Sequence, residues 1–306
     1  MDFRELNYIL AIARYQNITK ASESLYVSQP TLSKFLKNLE EEIGTPLFKR
    51  LGYKYQLTYA GECYVEKAHE ILRLKHELDA ELADIQKEQR GVLKVGFPSM
   101  RCTYMLPGIL PAFQELHPNI NVEVHEGHSV VLDQKLLNGE IDLAFYTQRS
   151  EDSDPLIEYQ VLAEEELLIC MQKGHPLMSH AVQDPESRYP TLDLKYLENE
   201  RAIMLSEKQR TRQITDYALA KAGITLSHII VTSNMSAIMD LAACGYGISF
   251  LFESHLKHHT GAPVDCCRIG KKGITANFVA AKRKGTYIPA CSEDFIRMAE
   301  ELTISA

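Results

Sequence analysis

The stretch SESLYVSQPTLSKFLKNLEEEIG, which runs from Ser22 to Gly44, decides how the N-terminal part of this chain is interpreted. Two short amphipathic segments meet at YVSQP, with only a few residues between them. Ser28 has the side chain of a helix N-cap, and Pro30 falls in the first turn, where its missing N–H costs little. Gly44 is typical of a helix C-terminus in the left-handed conformation. The stretch therefore predicts two helices joined by a tight corner.

The second of these helices has two different faces. Its apolar residues recur at steps of four, three and four and share one face: Leu32, Leu36, Leu39 and Ile43. Its polar residues lie on the opposite face: Gln29, Thr31, Ser33, Lys34 and Lys37. Glutamine pairs with adenine, lysine pairs with guanine or phosphate, and serine and threonine pair with either. Such a helix fits the major groove of DNA, although a merely solvated face is the alternative for polar residues alone.

The segment after this helix favours DNA binding over a solvated face. FKRLGYKYQLT predicts two short strands around Gly52, and its cations Lys49, Arg50 and Lys54 would contact phosphates or a minor groove. Residues 1–58 hold eight Lys and Arg against six Asp and Glu, whereas the whole chain has a net charge of −8. The N-terminal segment is therefore the net-basic part of an acidic chain.

The run ITKASESLYVSQPTLSKFLKNLEEEIGTPLFKRLGYKYQLTYAG resembles the winged helix-turn-helix of LysR-type transcriptional regulators. The positions that carry the resemblance are Ala21, Leu25, Ser28-Gln29-Pro30, Ser33, Leu39-Glu40, Gly44, Leu47-Phe48, Arg50, Leu57-Thr58 and Gly61. The residues predicted to contact DNA are Gln29, Pro30, Thr31, Ser33, Lys34, Lys37, Lys49, Arg50 and Lys54. Phe35 departs from the family pattern at a usually polar place. It either flanks the buried face or touches a thymine methyl group.

Residues 59–90 predict one long linker helix, because they contain no proline and only one glycine. Apolar residues follow a four–three heptad spacing, broken once at Lys75: Tyr64, Ala68, Ile71, Leu78, Leu82 and Ile85. A helix of about 30 residues is about 45 Å long. A seam of that length needs a partner helix, so this segment predicts a homodimer through a coiled coil.

Residues 91–306 alternate strands and helices, which predicts an α/β domain of two similar lobes with parallel sheets. The first lobe is expected at about 91–162 and 266–306, and the second at about 163–265. LPGILPAFQELHPNINVEV, LLNGEIDLAF, GHPL and GYGISFL are similar to the effector domain of the same family. The resemblance implies the fold of periplasmic binding proteins, with an effector site between the lobes.

A cleft between two such lobes is where ligands bind, at the carboxyl ends of the strands. GFPSMRCTYM starts at a strand end and opens a helix, so Ser99 and nearby backbone N–H groups would hold an anion. By resemblance, six residues line the cleft: Ser99, Met100, Thr103, Ser129, Thr147 and Ser206. A helix cap or turn bond is the equally weighted alternative for each serine and threonine. Arg101 would meet a carboxylate or, as the favoured interpretation, be solvated.

Other motifs predict neither catalysis nor a metal site. The chain lacks G-x-S-x-G and H-E-x-x-H, and His258-His259 and Cys266-Cys267 are better interpreted as surface tracts than as chelating pairs. Seven cysteines without a C-x-x-C pair predict reduced thiols in the cytoplasm. Cys102 invites a redox interpretation, but peroxide sensors of the family carry a cysteine pair in the second lobe and MLSEKQRTRQ has none, which disfavours redox sensing. The N-terminus predicts no signal peptide, and no apolar run predicts a membrane span.

These observations predict a cytoplasmic, ligand-responsive transcription regulator that is not an enzyme and has no cofactor. It would bind double-stranded promoter DNA, and the resemblance implies a homotetramer built as a dimer of dimers that contacts RNA polymerase. A solute-binding protein or small-molecule enzyme is the first alternative, but it leaves the basic helix–hairpin unit unexplained. An architectural DNA-binding protein is the second, and it leaves the polar cleft unexplained.

Overall fold

The computed structural model describes residues 2–85, 91–185 and 187–305. Two compact units make up the chain: residues up to Ile85, with which residues 138–140 are grouped, and the remainder. Among the described helices, none combines the length and apolarity that crossing a membrane requires.

The first unit is a three-helix corner followed by a hairpin and a long helix. Its elements are α1 (Phe3–Tyr15), α2 (Ile18–Ser24), α3 (Gln29–Ile43), β1 (Phe48–Leu51), β2 (Lys54–Leu57) and α4 (Tyr59–Ile85). Ser28 caps α3 by accepting a hydrogen bond from the Thr31 N–H, and Gly44 ends it with φ of 75°. The predicted helix boundaries around the corner are therefore confirmed.

The core of this unit gathers buried residues from α1, α2, α3 and the start of the hairpin. Leu32, Leu36 and Leu39 are buried as predicted. Ile43 is 42% exposed, because it lies in the last turn of α3, so its prediction as a core residue was wrong. The Phe35 ring meets the Tyr8 ring edge to face at 5.1 Å and joins the same cluster. Phe35 therefore belongs to the packed side of α3.

Helix α4 leaves most of its apolar residues in contact with solvent. Of its residues, Gly61 and Ala68 are the buried ones. Exposed fractions are 55% for Leu78, 45% for Leu82 and 69% for Ile85. The predicted end of this helix at residue 90 falls in 86–90, which lies outside the described residues.

The second unit is a mixed sheet flanked by helices. Its strands are β3 (Gly91–Phe97), β4 (Ile120–Glu126), β5 (Leu143–Gln148), β6 (Ile157–Gln172), β7 (Thr191–Leu192), β8 (Arg201–Leu205), β9 (His228–Thr232), β10 (Ile248–Phe252), β11 (Val264–Ile269) and β12 (Thr275–Arg283). Its α-helices are α5 (Ser99–Leu116), α6 (Ser129–Leu137), α7 (Arg210–Ala222), α8 (Met235–Ala243), α9 (Glu253–Lys257) and α10 (Cys291–Ser305). The main strand order is β4-β3-β5-β12-β6-β10-β8-β9, and β11 pairs with β6 and β7.

The expectation of purely parallel sheets was incomplete. Strands β3, β4 and β5 pair in parallel, and so do β8, β9 and β10. However, β12 runs antiparallel to β5 and β6, and β6 runs antiparallel to β10 and β11. Each lobe is thus a parallel β-α-β core closed by antiparallel strands.

Strand β6 passes through both lobes. From Ile157 to Glu166 it pairs with β12, and from Leu168 to Gln172 it pairs with β11. The predicted boundary at residue 265 therefore differs from the structure, because β11 lies in the second lobe and packs Cys267 and Ile269 into its core. The chain returns to the first lobe only with β12.

Cys266 and Cys267 are not a surface tract, and that interpretation was wrong. They are neighbours on β11, and side chains along a strand alternate between its two faces. Cys267 is fully buried, whereas Cys266 is partly exposed on the other face. None of the seven cysteines, all of which lie within the described residues, forms a disulfide.

Candidate DNA-binding surface and effector cleft

The polar face of α3 is open to solvent. Gln29, Pro30, Thr31, Lys34 and Lys37 are exposed, and Ser33 is half-buried. The Thr31 hydroxyl lies 2.7 Å from the Ser28 hydroxyl within the helix cap, so this threonine also stabilises the helix start. The structure thus places the predicted base-contacting residues along one accessible face.

The wing is a tight antiparallel hairpin that presents three cations. Phe48 pairs with Leu57 and Leu51 pairs with Lys54, with Gly52 at φ of 62° in the turn. Lys49, Arg50 and Lys54 are all exposed. The Arg50 Nε donates to the Gly52 carbonyl oxygen at 3.2 Å, which holds the guanidinium near the hairpin tip.

Three residues outside the predicted contact set fix the wing beside α3. The Glu40 carboxylate accepts hydrogen bonds from the N–H groups of Leu47 at 2.7 Å and Phe48 at 3.0 Å. The Thr58 hydroxyl donates to the Pro46 carbonyl and accepts from the Gly61 N–H. A Cβ on Gly61 would lie 2.0 Å from the Leu47 carbonyl oxygen, so this position requires glycine. Glu40, Thr58 and Gly61 belong to the family pattern, but the sequence alone indicates no role for them.

A cavity of about 480 Å³ opens between the two lobes of the second unit. Five of the six predicted cleft residues line it: Ser99, Met100, Thr103, Ser129 and Thr147. Ser206, the sixth, is not among the described lining residues. It lies in the turn before α7, where its carbonyl accepts the Gln209 N–H. Lining residues that sequence analysis missed include Glu126, His128, Gln209, Arg210 and Asn234.

Four helices begin at this cavity. Their first residues, Ser99 of α5, Ser129 of α6, Arg210 of α7 and Met235 of α8, all line it. The N-cap positions of α5 and α7 make no side-chain cap hydrogen bond within the described chain. The first N–H groups of a helix lack intrahelical partners and carry partial positive charge, so helix N-termini attract anions.

Three buried polar side-chain atoms in the cavity wall lack hydrogen-bond partners among the described residues. Ser129, 4% exposed, leaves its Oγ unpaired, and His255, 5% exposed, leaves its Nδ1 unpaired. Arg210 leaves its Nε unpaired. Buried polar groups are normally satisfied, so each unpaired atom needs an explanation. A ligand bound in the cavity would supply the missing hydrogen-bond partners.

Arg101 forms the floor of the cavity, and the favoured expectation that it is solvated was wrong. It is 2% exposed, and its Nη2 donates to the Thr147 Oγ1 at 2.7 Å and to the Glu165 carboxylate. Its Nη1 donates to the Tyr104 hydroxyl at 2.9 Å, and the guanidinium lies 4.0 Å from the Phe278 ring centre. Arg101 therefore meets a carboxylate of the protein itself.

The charges around Arg101 decide how its neighbours ionise. Burial alone raises the pKa of the Glu165 carboxyl, but the Arg101 guanidinium and His255 outweigh it, and the net pKa is lowered. Burial, followed by the charge of Arg101, lowers the pKa of His255 to about 4. Near neutral pH the floor is thus an Arg101–Glu165 ion pair beside an uncharged imidazole.

The hydroxyl of Thr147 is already committed as a donor. It donates to the Glu165 Oε2 at 3.0 Å and accepts from Arg101. A hydroxyl has one donor and two acceptor positions, so Thr147 retains only an acceptor for a ligand. The cavity therefore offers donors at its helix N-termini and an acceptor at its floor.

Comparison with known proteins agrees with this architecture. The model "Bacterial regulatory helix-turn-helix protein, lysR family" matches residues 3–62, and "LysR substrate binding domain" matches residues 86–303. The chain belongs to the LysR family of DNA-binding transcriptional regulators, which carry an effector-binding domain. It is 33% identical over 253 residues to the uncharacterized HTH-type transcriptional regulator YwbI of Bacillus subtilis, covering 83% of this chain and 80% of that protein.

Solved structures share the fold over the whole chain. A full-length OxyR variant from Pseudomonas aeruginosa matches with a TM-score of 0.70 and 25% identity, covering 98% of this chain and 94% of that one. CbnR in complex with its target DNA matches with a TM-score of 0.62 and 23% identity, covering 98% and 99%. The predicted family, fold class and regulator function are confirmed.

Proposed function

We propose that this regulator recognises promoter DNA with the exposed face of α3 and the wing, and that a small monoanionic effector in the cleft controls it. Residues 1–58 bind DNA, residues 59–90 pair two chains, and residues 91–306 bind the effector. The protein acts in the cytoplasm as a dimer of dimers, contacts RNA polymerase and catalyses no reaction. The unpaired Ser129 Oγ and His255 Nδ1, at a cavity where four helices begin, are the observation that carries the effector proposal.

The electrostatics of the cavity define the effector class. Helix N-termini favour one anionic group, such as a carboxylate, near Ser99 and Ser129. Arg101 is neutralised by Glu165, Arg210 lies 3.0 Å from the Asp152 carboxylate, and Glu126 adds negative charge to the lining. These charges disfavour a polyanion, so the effector carries a single negative charge. A hydroxyl or N–H of the effector donates to Thr147.

The DNA-binding part of the proposal is tested by separating base contacts from phosphate contacts. The probes are a duplex from the region upstream of the protein's own gene and a scrambled duplex, with fluorescence anisotropy as the measurement. Gln29→Ala weakens binding to the promoter duplex by about 1–3 kcal/mol and leaves the scrambled duplex unchanged. Lys49→Ala weakens binding to both duplexes equally. It also reduces the slope of log affinity against log salt concentration by about one.

Gln183→Ala is the matched control, because Gln183 is an exposed glutamine of the second unit. It leaves both affinities unchanged. If Gln29→Ala lost the same affinity for the promoter duplex as for the scrambled duplex, Gln29 would not read bases.

The effector part is tested by thermal shift on the full chain. The panel contains small aliphatic and aromatic hydroxy-monocarboxylates, each paired with its uncharged amide. A carboxylate that binds raises the melting temperature and its amide does not. Ser129→Ala removes a hydrogen bond to the carboxylate. Such a bond contributes about 1.5–3 kcal/mol to the binding free energy, so its removal lowers the affinity roughly tenfold or more.

Ser206→Ala is the control, since Ser206 is not among the described lining residues. It keeps the full thermal shift. Stabilisation by amides as strong as by carboxylates, or an equal loss in Ser206→Ala, would contradict the proposed anion site.

A further inference from the structure

Two thiols face each other across neighbouring strands of the second lobe. β6 and β11 run antiparallel, and their register places Cys170 directly opposite Cys266. The two sulfur atoms are 3.6 Å apart. Directly opposed residues of antiparallel strands have Cα atoms about 4.5–5.5 Å apart, which falls within the range that a disulfide spans. The backbone already holds the two thiols at a distance suited to a covalent bond.

The neighbouring thiol is excluded from this pair by strand geometry. Cys267, one residue further along β11, points to the opposite face, where its sulfur lies 3.4 Å from the Met178 sulfur. Among the described residues, no group of three or more His, Cys, Asp or Glu is arranged to hold a metal ion. The arrangement is therefore a two-thiol pair and not a metal site.

The two thiols differ in access. Cys170 is 1% exposed, whereas Cys266 is partly exposed. The hydrogen bond with Cys266, together with burial, raises the pKa of Cys170. Cys170 therefore stays protonated and shielded until a reactive sulfur forms beside it. An oxidant from solvent meets Cys266 first.

We propose that Cys170 and Cys266 form a reversible modification site, which hydrogen peroxide converts into an intrachain disulfide. The Cys266 thiol gives up its proton and its sulfur attacks one oxygen of hydrogen peroxide. The O–O bond breaks, a sulfenic acid forms, and the displaced hydroxide takes up the thiol proton and leaves as water. The Cys170 sulfur then attacks the sulfenic sulfur, its proton leaves with the displaced hydroxyl, and a second water is released. Two thiols are oxidised by two electrons in total, and the peroxide is reduced to two waters.

The position of the pair links it to the effector cavity. Cys170 packs with Leu168 and Leu251, and Cys266, Met100 and Met235 lie against the same cluster. Both of these methionines line the cavity. The pair also lies just beyond the point where β6 leaves β12 for β11. A disulfide here fixes the spacing of two strands directly beneath the cavity wall.

The test uses the full chain with Cys63→Ser and Cys244→Ser, which remove the two exposed thiols. Purified protein is treated with hydrogen peroxide, denatured, alkylated and mapped by mass spectrometry with and without reductant. The expected result is a linked peptide pair containing Cys170 and Cys266, which disappears on reduction. The mass of the intact chain falls by that of two hydrogen atoms. The number of titratable thiols falls by two.

Two further variants in the same background sharpen the outcome. Cys267→Ala keeps the cross-link, and Cys266→Ala abolishes it and leaves Cys170 unoxidised. Oxidation raises the melting temperature of the background chain but not that of Cys266→Ala, which shows whether the cross-link forms in folded protein. Oxidation of Cys266 to a sulfinic acid without cross-linking, or its linkage to Cys267, overturns the proposal.

Discussion

His255 shows what burial does to a single titratable side chain. Its imidazole lies among charged and polar groups from several elements: Arg101 and Tyr104 of α5, Glu165 of β6 and His258 after α9. Burial and the Arg101 charge together disfavour the imidazolium, although Glu165 favours it. His255 is therefore a neutral hydrogen-bonding group facing the ligand cavity, and it acquires charge only in acid.

The depressed pKa of His255 makes the protein less stable as pH falls. An unfolded histidine has a pKa of 6.5, and the folded one has a pKa of about 4, so below about pH 6.5 the unfolded state binds more protons. This difference lowers the free energy of unfolding by about 2 kcal/mol between pH 7.5 and pH 5. We expect His255→Gln to reduce the fall in melting temperature over this range.

Melting temperatures of wild type, His255→Gln and His228→Gln at pH 7.5 and pH 5 check this expectation. His228 is exposed, so its replacement serves as the matched control and leaves the pH dependence unchanged. If His255→Gln and wild type lose the same stability in acid, the fall has another source.

At the residue scale, the sequence predicted the cavity-lining residues well. It did not predict the hydrogen-bond and ion-pair partners of their side chains. Ser99 was found because it follows a strand and opens a helix, whereas Ser129 was named only by the resemblance to the family. The partner of Arg101 was not predictable, because Glu165 is 64 residues away and meets it only through the register of β5, β12 and β6. The sequence neighbours of Arg101 do not indicate which carboxylate pairs with it.

At the element scale, the wing is positioned by backbone contacts and not by its own length. Its strands have only four residues each, and isolated hairpins are marginal in water. Glu40 ties the first strand to α3, and Thr58 and Gly61 tie the second to α4. The Tyr55 N–H also donates to the Gln16 carbonyl at 2.9 Å, which joins the hairpin to the end of α1.

Helix α4 carries a prediction about pairing of chains. Its exposed apolar residues repeat at coiled-coil spacing, and burying them against a second copy removes them from water. We expect Leu78→Lys to place a charge in that seam and to dissociate the dimer. Sedimentation velocity over a range of protein concentrations measures the outcome.

Ala80→Lys is the matched control, since position 80 lies on the side of α4 opposite the heptad seam. It leaves the sedimentation coefficient unchanged. An intact oligomer in Leu78→Lys would show that the chains associate through another surface.

At the scale of the whole molecule, sequence predicted the order of elements but not the pairing of all strands. Apolar runs such as ELLICMQ and NFVAAK identify buried strands, but a buried strand shows the same pattern in parallel and antiparallel sheets. The full length of β6, from Ile157 to Gln172, was also missed, because its first half is mostly exposed or half-buried and lacks the regular alternation that predicts a strand. Only long-range pairing shows that one strand serves both lobes.

The path of the chain between the lobes determines how genetic recombination could exchange one lobe. Thr275 pairs directly with Glu166, so the chain departs for the second lobe and returns from it at adjacent points. Segment 167–274 is therefore an insert whose two ends already lie side by side, the arrangement that tolerates domain insertion. Recombination at these ends would exchange one wall of the effector cleft in a single genetic event, while the other wall and the DNA-binding segment stay unaltered.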